Sequence, residues 1–244
     1  MRTAVSLALG TVIGLSLAGT AMAESRTFEL TGFDKIDVAT GLDAVVTQGD
    51  SFSVTATSGS GQALDNLQLT VADGVLTARF DQSFLDFILG GGLVGMLLSS
   101  GNALTIDITM PALSAIDASS GADIRADGLT SDELSLNASS GANIDVTDAR
   151  LGAVEIGSSS GADVDISGTA ESVTADASSG AGIDAENLVA ASATASASSG
   201  ASISVHATAS VNAEASSGGD VDVSGNPTAR DVDASSGGDV NFDD

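Results

Sequence analysis

The 244-residue chain has no cysteine, no tryptophan and no tyrosine, only two prolines, and seven lysines and arginines against 33 aspartates and glutamates. Each shortage excludes something. Without cysteine there is no disulfide framework and no thiol to carry a lipid anchor, so stability rests on burial and backbone hydrogen bonds. Without tryptophan and tyrosine the usual anchors of sugar-stacking sites and tight interfaces are missing. A formal charge of −26 argues against nucleic acid or anionic lipid as a partner, because phosphate binding needs clustered lysine and arginine. The same charge keeps the chain soluble.

What is present begins with an export signal. Arg2 supplies a positive start, an apolar run extends from Ala4 to about Ala18, and Ala21-Met22-Ala23 forms a small-x-small cleavage pattern. Residues 1–23 read as a signal peptide, with Glu24 the first mature residue and a mature charge of −27 once Arg2 is lost. A retained membrane anchor is the alternative, disfavoured because the run is short and glycine-interrupted for a span.

The dominant feature is repetition. Ser-Ser-Gly begins at Ser119, Ser139, Ser159, Ser178, Ser198, Ser216 and Ser235, at intervals of 18 to 20 residues. After each glycine comes a short apolar–polar alternation, as in Ile124/Ala126, Ile144/Val146 and Ile203/Val205; before the next Ser-Ser comes another, as in Leu134/Leu136/Ala138 and Val211/Ala213/Ala215. Alternation with period two is the mark of a half-buried strand. Two such strands and two corners per repeat cannot bury their apolar sides alone, so the repeats must stack. The expected fold is all-β, a parallel β-helix or β-solenoid of about 19–20 residues per turn, right-handed by the crossover preference, with a less regular N-terminal β cap. The serine hydroxyls of the corners are expected to bond along the stack or to nearby backbone. Alanine and glycine make the core thin, and the C-terminal rungs, with the smaller side chains, the weaker end.

Residues 24–110 form the N-terminal β region and 111–244 the Ser-Ser-Gly solenoid, together one continuous domain. Asp73-Gly74 between two apolar runs signals a tight hairpin, and six of the seven phenylalanines lie before position 88, giving this end the bulkier core.

The chain resembles the auto-transporter adhesin head domains known as GIN domains. The likeness rests on Phe33-Asp34-Lys35-Ile36-Asp37-Val38, Val45-Val46-Thr47-Gln48-Gly49-Asp50, Val71-Ala72-Asp73-Gly74-Val75-Leu76, Met110-Pro111-Ala112-Leu113 and the Ser-Gly-Ala repeats from Ser120 onward. It covers roughly residues 28–242. The resemblance implies a β-helical, exported domain of the bacterial envelope, and it brings no catalytic residues with it.

Residues 84–98 stand apart. Phe84, Leu85, Phe87, Ile88, Leu89, Leu93, Val94, Met96, Leu97 and Leu98 crowd ten large apolar side chains around one charge and four glycines. The stretch is too short to span a bilayer. It is either a lid over an end of the solenoid or an exposed patch for a partner, self-association or membrane-surface contact.

Elsewhere the sequence offers little chemistry. Asp145, Asp165 and Asp184 share one register, and Asp123, Asp163, Asp220 and Asp239 another. The nine-residue repeat of calcium-binding β-rolls is not met, and a solvated acidic face is the expectation. Gly157-Ser158-Ser159-Ser160-Gly161 matches G-x-S-x-G, but that motif works on a strand-to-helix elbow with a histidine at hand; here it is one copy of a corner, and His206 is the only histidine. The expected function is that of a non-catalytic exported β-solenoid, an adhesin-type or envelope-interaction domain binding an envelope, surface or matrix component in the periplasm or outside the cell. The alternatives are a structural or self-assembling envelope protein and a β-helix enzyme acting on polysaccharide. Neither cofactor nor metal is called for.

Overall fold

The computed structural model describes residues 23–80 and 104–243. The expected signal peptide and the apolar stretch 84–98 lie outside the described residues, apart from Ala23.

The regular part is a stack of parallel rungs. β8 (Ala115–Ser119), β10 (Thr130–Ser139), β11 (Asn143–Ser159), β12 (Asp163–Ser178), β13 (Gly182–Ser198), β14 (Ser202–Ser216) and β16 (Ala229–Ser235) follow one another on one side. On another side β9 (Asp123–Asp127) is followed by the first halves of β11, β12, β13 and β14, then by β15 (Asp220–Ser224) and β17 (Asp239–Phe242). The register places Ser119, Ser139, Ser159, Ser178, Ser198, Ser216 and Ser235 in one column. The repeat read from the sequence is the repeat of the fold, a β-solenoid.

Each corner is a tight turn of a definite kind. In Ser119-Ser120-Gly121-Ala122 both central residues have positive φ, +55° and +72°, and Ala122 N–H donates to the Ser119 carbonyl at 3.3 Å. The same pair of positive φ values recurs at Ser140/Gly141, Ser160/Gly161, Ser179/Gly180, Ser199/Gly200, Ser217/Gly218 and Ser236/Gly237. This is the backbone of a type I′ turn. The residue after the glycine is Ala122, Ala142, Ala162, Ala181 or Ala201, all buried, and its carbonyl accepts from the next rung, as in Asn143 N–H to Ala122 O at 2.9 Å. The expectation for the serine hydroxyls fails. The second serine of each corner points to solvent, and among the described residues no corner hydroxyl bonds along the stack; the column is held by backbone. Ser158, one residue earlier in its rung and buried, bonds to nearby backbone instead, its hydroxyl donating across its own corner to the Ala162 carbonyl at 2.7 Å.

The rungs also have one more side than the sequence suggested. In the rung from Ile144, buried residues run Ile144/Val146, then Ala149/Leu151, then Val154/Ile156/Ser158, separated by neighbouring pairs that both face outward, Thr147/Asp148 and Gly152/Ala153. A strand alternates strictly, so two successive outward residues mark a bend. The rung therefore has three inward-facing runs, the middle one only two residues deep, and Leu188/Ala190 repeats it. A two-residue run between Gly, Ser, Asp and Asn has too little alternation to be distinguished from a turn.

The N-terminal coils are interleaved. β2 (Lys35–Ala39) and β3 (Asp43–Gln48) lie between β8/β9 on one side and β6 (Val75–Phe80) and β7 (Leu104–Met110) on the other, all parallel. Three further strands close this end antiparallel: β5 (Leu67–Ala72) on β6, β4 (Ser53–Ser58) on β7, and β1 (Glu24–Phe28) on β4. The short helix α1 (Gly61–Asn66) joins β4 to β5 and buries Ala63 and Leu64. β5 and β6 turn at Asp73-Gly74, with φ of +51° and +81°.

Core ladders follow from the register. Leu76, Ile36, Ile116, Leu136, Ile156, Ala175, Ala195, Ala213 and Val232 form one. Large residues fill its first five positions and alanine the next three, so this ladder narrows toward the C-terminus, whereas Ile124, Ile144, Val164, Ile183, Ile203 and Val221 keep the ladder on the other side bulky.

Candidate interaction surface

No deep cleft collects functional side chains among the described residues; what the fold presents is outward columns. Along the side after each Ser-Ser-Gly corner, one column runs Asp43, Asp123, Asn143, Asp163, Gly182, Ser202, Asp220, Asp239, and the next runs Asp107, Val45, Arg125, Asp145, Asp165, Asp184, Ser204, Asp222, Asn241. The acidic registers expected from the sequence are thus real columns.

In several places a donor one rung along relieves the charge. Asn143 Nδ2 donates to Asp123 at 2.6 Å, Asn137 to Asp117 at 3.1 Å, Asn241 to Asp222 at 3.0 Å, and Thr147 Oγ1 to Asp127 at 2.7 Å. Asp145, Asp165 and Asp184 are the exception, three carboxylates on consecutive rungs. Partial burial pushes the Asp165 carboxyl above the usual range, and the charges of Asp184, Asp145 and Asp163 add to the effect. Burial also raises Asp43, reinforced by Asp123 and opposed by Arg125. Asp117 is raised by burial against the opposing bond from Asn137. Among the described residues no three His, Asp or Glu groups converge as metal ligands.

The sequence motifs with catalytic spelling are dispersed. Ser159 and Ser160 belong to a corner turn, whereas His206 lies on β14 and its Nδ1 is 3.1 Å from Ser224 Oγ on the following rung. No element joins Ser159 to His206. The apolar patch expected at residues 84–98 lies outside the described residues; Phe80 and Leu104, which end the described stretches on either side, lie beside the corner at Thr40–Leu42, with Phe80 N–H donating to Thr40 Oγ1 at 3.2 Å.

The motifs that carried the resemblance have structural work. Gln48 Oε1 accepts from Thr130 N–H at 2.8 Å, and its Nε2 donates to the carbonyls of Thr130 at 3.1 Å and Pro111 at 3.2 Å. Asp34 N–H and Lys35 N–H both donate to the Gly74 carbonyl, and Ser114 Oγ donates to Asp34 at 2.8 Å. Phe33 is buried with its ring centroid 4.9 Å from that of Phe52. Sequence reasoning saw these motifs but not their task, which is to tie the interleaved coils together.

A family model described as "putative auto-transporter adhesin, head GIN domain" matches residues 32–227. The chain belongs to this family. Solved structures similar to this GIN domain include a "putative adhesin" from Bacteroides fragilis (TM-score 0.79, 22% identity, covering 92% of this chain and 98% of that one). Others are a "putative lipid binding protein" from Parabacteroides distasonis (0.67, 17%, 91% and 97%) and a "putative adhesin" from Parabacteroides merdae (0.60, 16%, 93% and 98%). At these identities the likeness is one of fold. No curated protein matches the chain. No helix among the described residues is long and apolar enough to cross a membrane.

Proposed function

We propose that this GIN domain is exported, loses residues 1–23, and acts in the periplasm or at the cell surface as a non-catalytic contact domain of adhesin type, residues 24–244 forming one unit. The observation that carries this reading is the register itself. A stack sets its outward side chains in straight columns at one-rung spacing, which suits contact with an extended envelope, surface or matrix component better than turnover of a small substrate. Membership of the adhesin head family and the signal-like N-terminus support the same reading. The test is fractionation of cells expressing the chain, with and without surface protease, together with binding of the purified mature domain to intact cells or matrix. A cytoplasmic, uncleaved chain that binds neither would contradict it.

A second reading, a self-assembling envelope protein, is favoured by the ten large apolar side chains of residues 84–98. Deleting 84–98 would then abolish assembly, seen by sedimentation, and leave the β-rich circular dichroism spectrum unchanged. Release of reducing sugars from polysaccharide would instead support a carbohydrate-active enzyme.

A further inference from the structure

The rung formed by β16 and β17 differs from every rung above it. β16 pairs with β14 and β17 with β15; among the described residues neither has a partner on its other side. Such an edge is a template for another strand. The nearest strand of matching register is the same rung of a second copy, whose backbone and repeat are identical by construction. Val232 is 44% exposed, while Ala213 and Ala195 above it in the same ladder are fully buried. A second rung would bury it.

Two features oppose that stacking. The first is Arg230. Its register partner is Val211, which in turn pairs with Ala193 and, one rung further, Val173, all buried. Arg230 therefore stands where every earlier rung has an apolar core residue. Its guanidinium carbon lies 4.2 Å from the Phe242 ring centroid, its Nε donates to the Pro227 carbonyl at 3.0 Å, and its Nη2 donates to Asn226 Oδ1 at 2.8 Å. A cation held over the Phe242 ring sets a charge, in place of an apolar side chain, at the core position that a further rung would have to cover. The second is charge. Asp231 and Asp233 on β16, and Asp239 and Asp243 at β17, are exposed on this rung, beside Glu214 and Asp220 of the rung before. Arg230 is the only Lys or Arg after Arg150. A second copy arriving end-on would bring the same carboxylates to strand spacing, roughly 5 Å, from these.

We propose that the C-terminal rung is a built stop: Arg230 plugs the end of the core and the aspartates fence the strand edge, so that a second copy of the chain cannot extend the stack. The inference does not depend on the adhesin reading, since it concerns only this edge.

The test compares the mature chain with Arg230→Val carrying Asp231→Ser and Asp233→Ser, and with Asp231→Ser/Asp233→Ser alone, by sedimentation equilibrium. The surface pair leaves the core untouched and keeps the test valid if the triple variant fails to fold. Removing the fence is expected to raise the self-association constant on the order of tenfold, and removing fence and plug together on the order of a hundredfold. In the associated form, hydrogen exchange at Val232 and Val240 amides should slow. Two results would overturn the proposal: folded variants that remain as monomeric as the parent, or a parent chain that already associates with its β16 amides protected.

Discussion

The side-chain amide of Gln48 lies against the backbone of Thr130 as a neighbouring strand would, accepting from its N–H at 2.8 Å and donating to its carbonyl at 3.1 Å. The two residues are 82 positions apart in sequence. The pair fastens the end of β3 to the start of β10, and a third bond to Pro111 brings in the β7–β8 turn. Only a carboxamide offers donor and acceptor in this arrangement.

Gln48→Glu is therefore expected to be nearly as damaging as Gln48→Ala. The glutamate keeps the acceptor for Thr130 N–H, but it turns an oxygen toward two carbonyls that had received donors. A loss of about 1–3 kcal/mol in urea unfolding is expected for each. A silent Gln48→Glu would show that the clamp is incidental.

The corner glycines and the wall glycine should respond differently to alanine. At Gly161 a Cβ would meet nothing within 4 Å, so Gly161→Ala bears only the cost of a positive φ of 67°, about 1–2 kcal/mol. At Gly168 a Cβ would overlap the Ala149 backbone on the previous rung, at a φ of +129°, so Gly168→Ala should lower the melting temperature much further. Ser160→Gly, which removes a side chain from a residue at φ +57°, is expected to stabilise. Thermal melts of the three variants check the order.

The three consecutive carboxylates Asp145, Asp165 and Asp184 give a pH dependence with a definite sign. The Asp165 carboxyl is raised in the folded chain, first by burial and then by its neighbours, so the folded state holds this proton more tightly than the unfolded state. Its contribution favours folding at pH values below the ordinary aspartate range and is lost as pH rises through the raised value. Asp165→Asn should stabilise at neutral pH by about 0.5–1 kcal/mol, an amount moderated by solvent and salt, and should flatten the slope of stability against pH over that interval. Denaturant titrations between pH 3 and pH 7 measure both.

Much of this could be read from the sequence, because a solenoid writes its register into the repeat. The serine column and the two longer inward runs follow from spacing and alternation alone. The middle run, Ala149/Leu151 or Leu188/Ala190, did not announce itself: two apolar residues between bends carry no periodicity. The interleaving of β2 and β3 between β6/β7 and β8/β9 was also hidden, since chain order and stacking order diverge there and the ties, Gln48 to Thr130 and Asp34 to Ser114, join residues 80 or more apart. The corner serines misled for a different reason. Their hydroxyls had the chemistry to bond along the stack, but a backbone with positive φ at the second serine turns it outward.

The narrowing of the Leu136 ladder sets an order of opening. Ile116, Leu136 and Ile156 are succeeded in the same ladder by Ala175, Ala195 and Ala213. Solenoid rungs depend on nearest neighbours, so native-state hydrogen exchange should show protection highest around residues 116–166 and falling toward β16. Leu136→Ala is expected to cost about 2–5 kcal/mol, whereas truncating the half-exposed Val232 should cost far less.

The central claim is the vertical column of Ser-Ser-Gly corners, and the absence of native cysteine makes it directly measurable. Spin labels on cysteines placed pairwise at the exposed second serines, Ser120 with Ser199, Ser217 or Ser236, sit four, five and six rungs apart. Double electron–electron resonance should return distances near 19, 24 and 29 Å, rising by about 4.8 Å per rung. Distances that fail to increase in that order, or that spread broadly in a folded chain, would contradict the account.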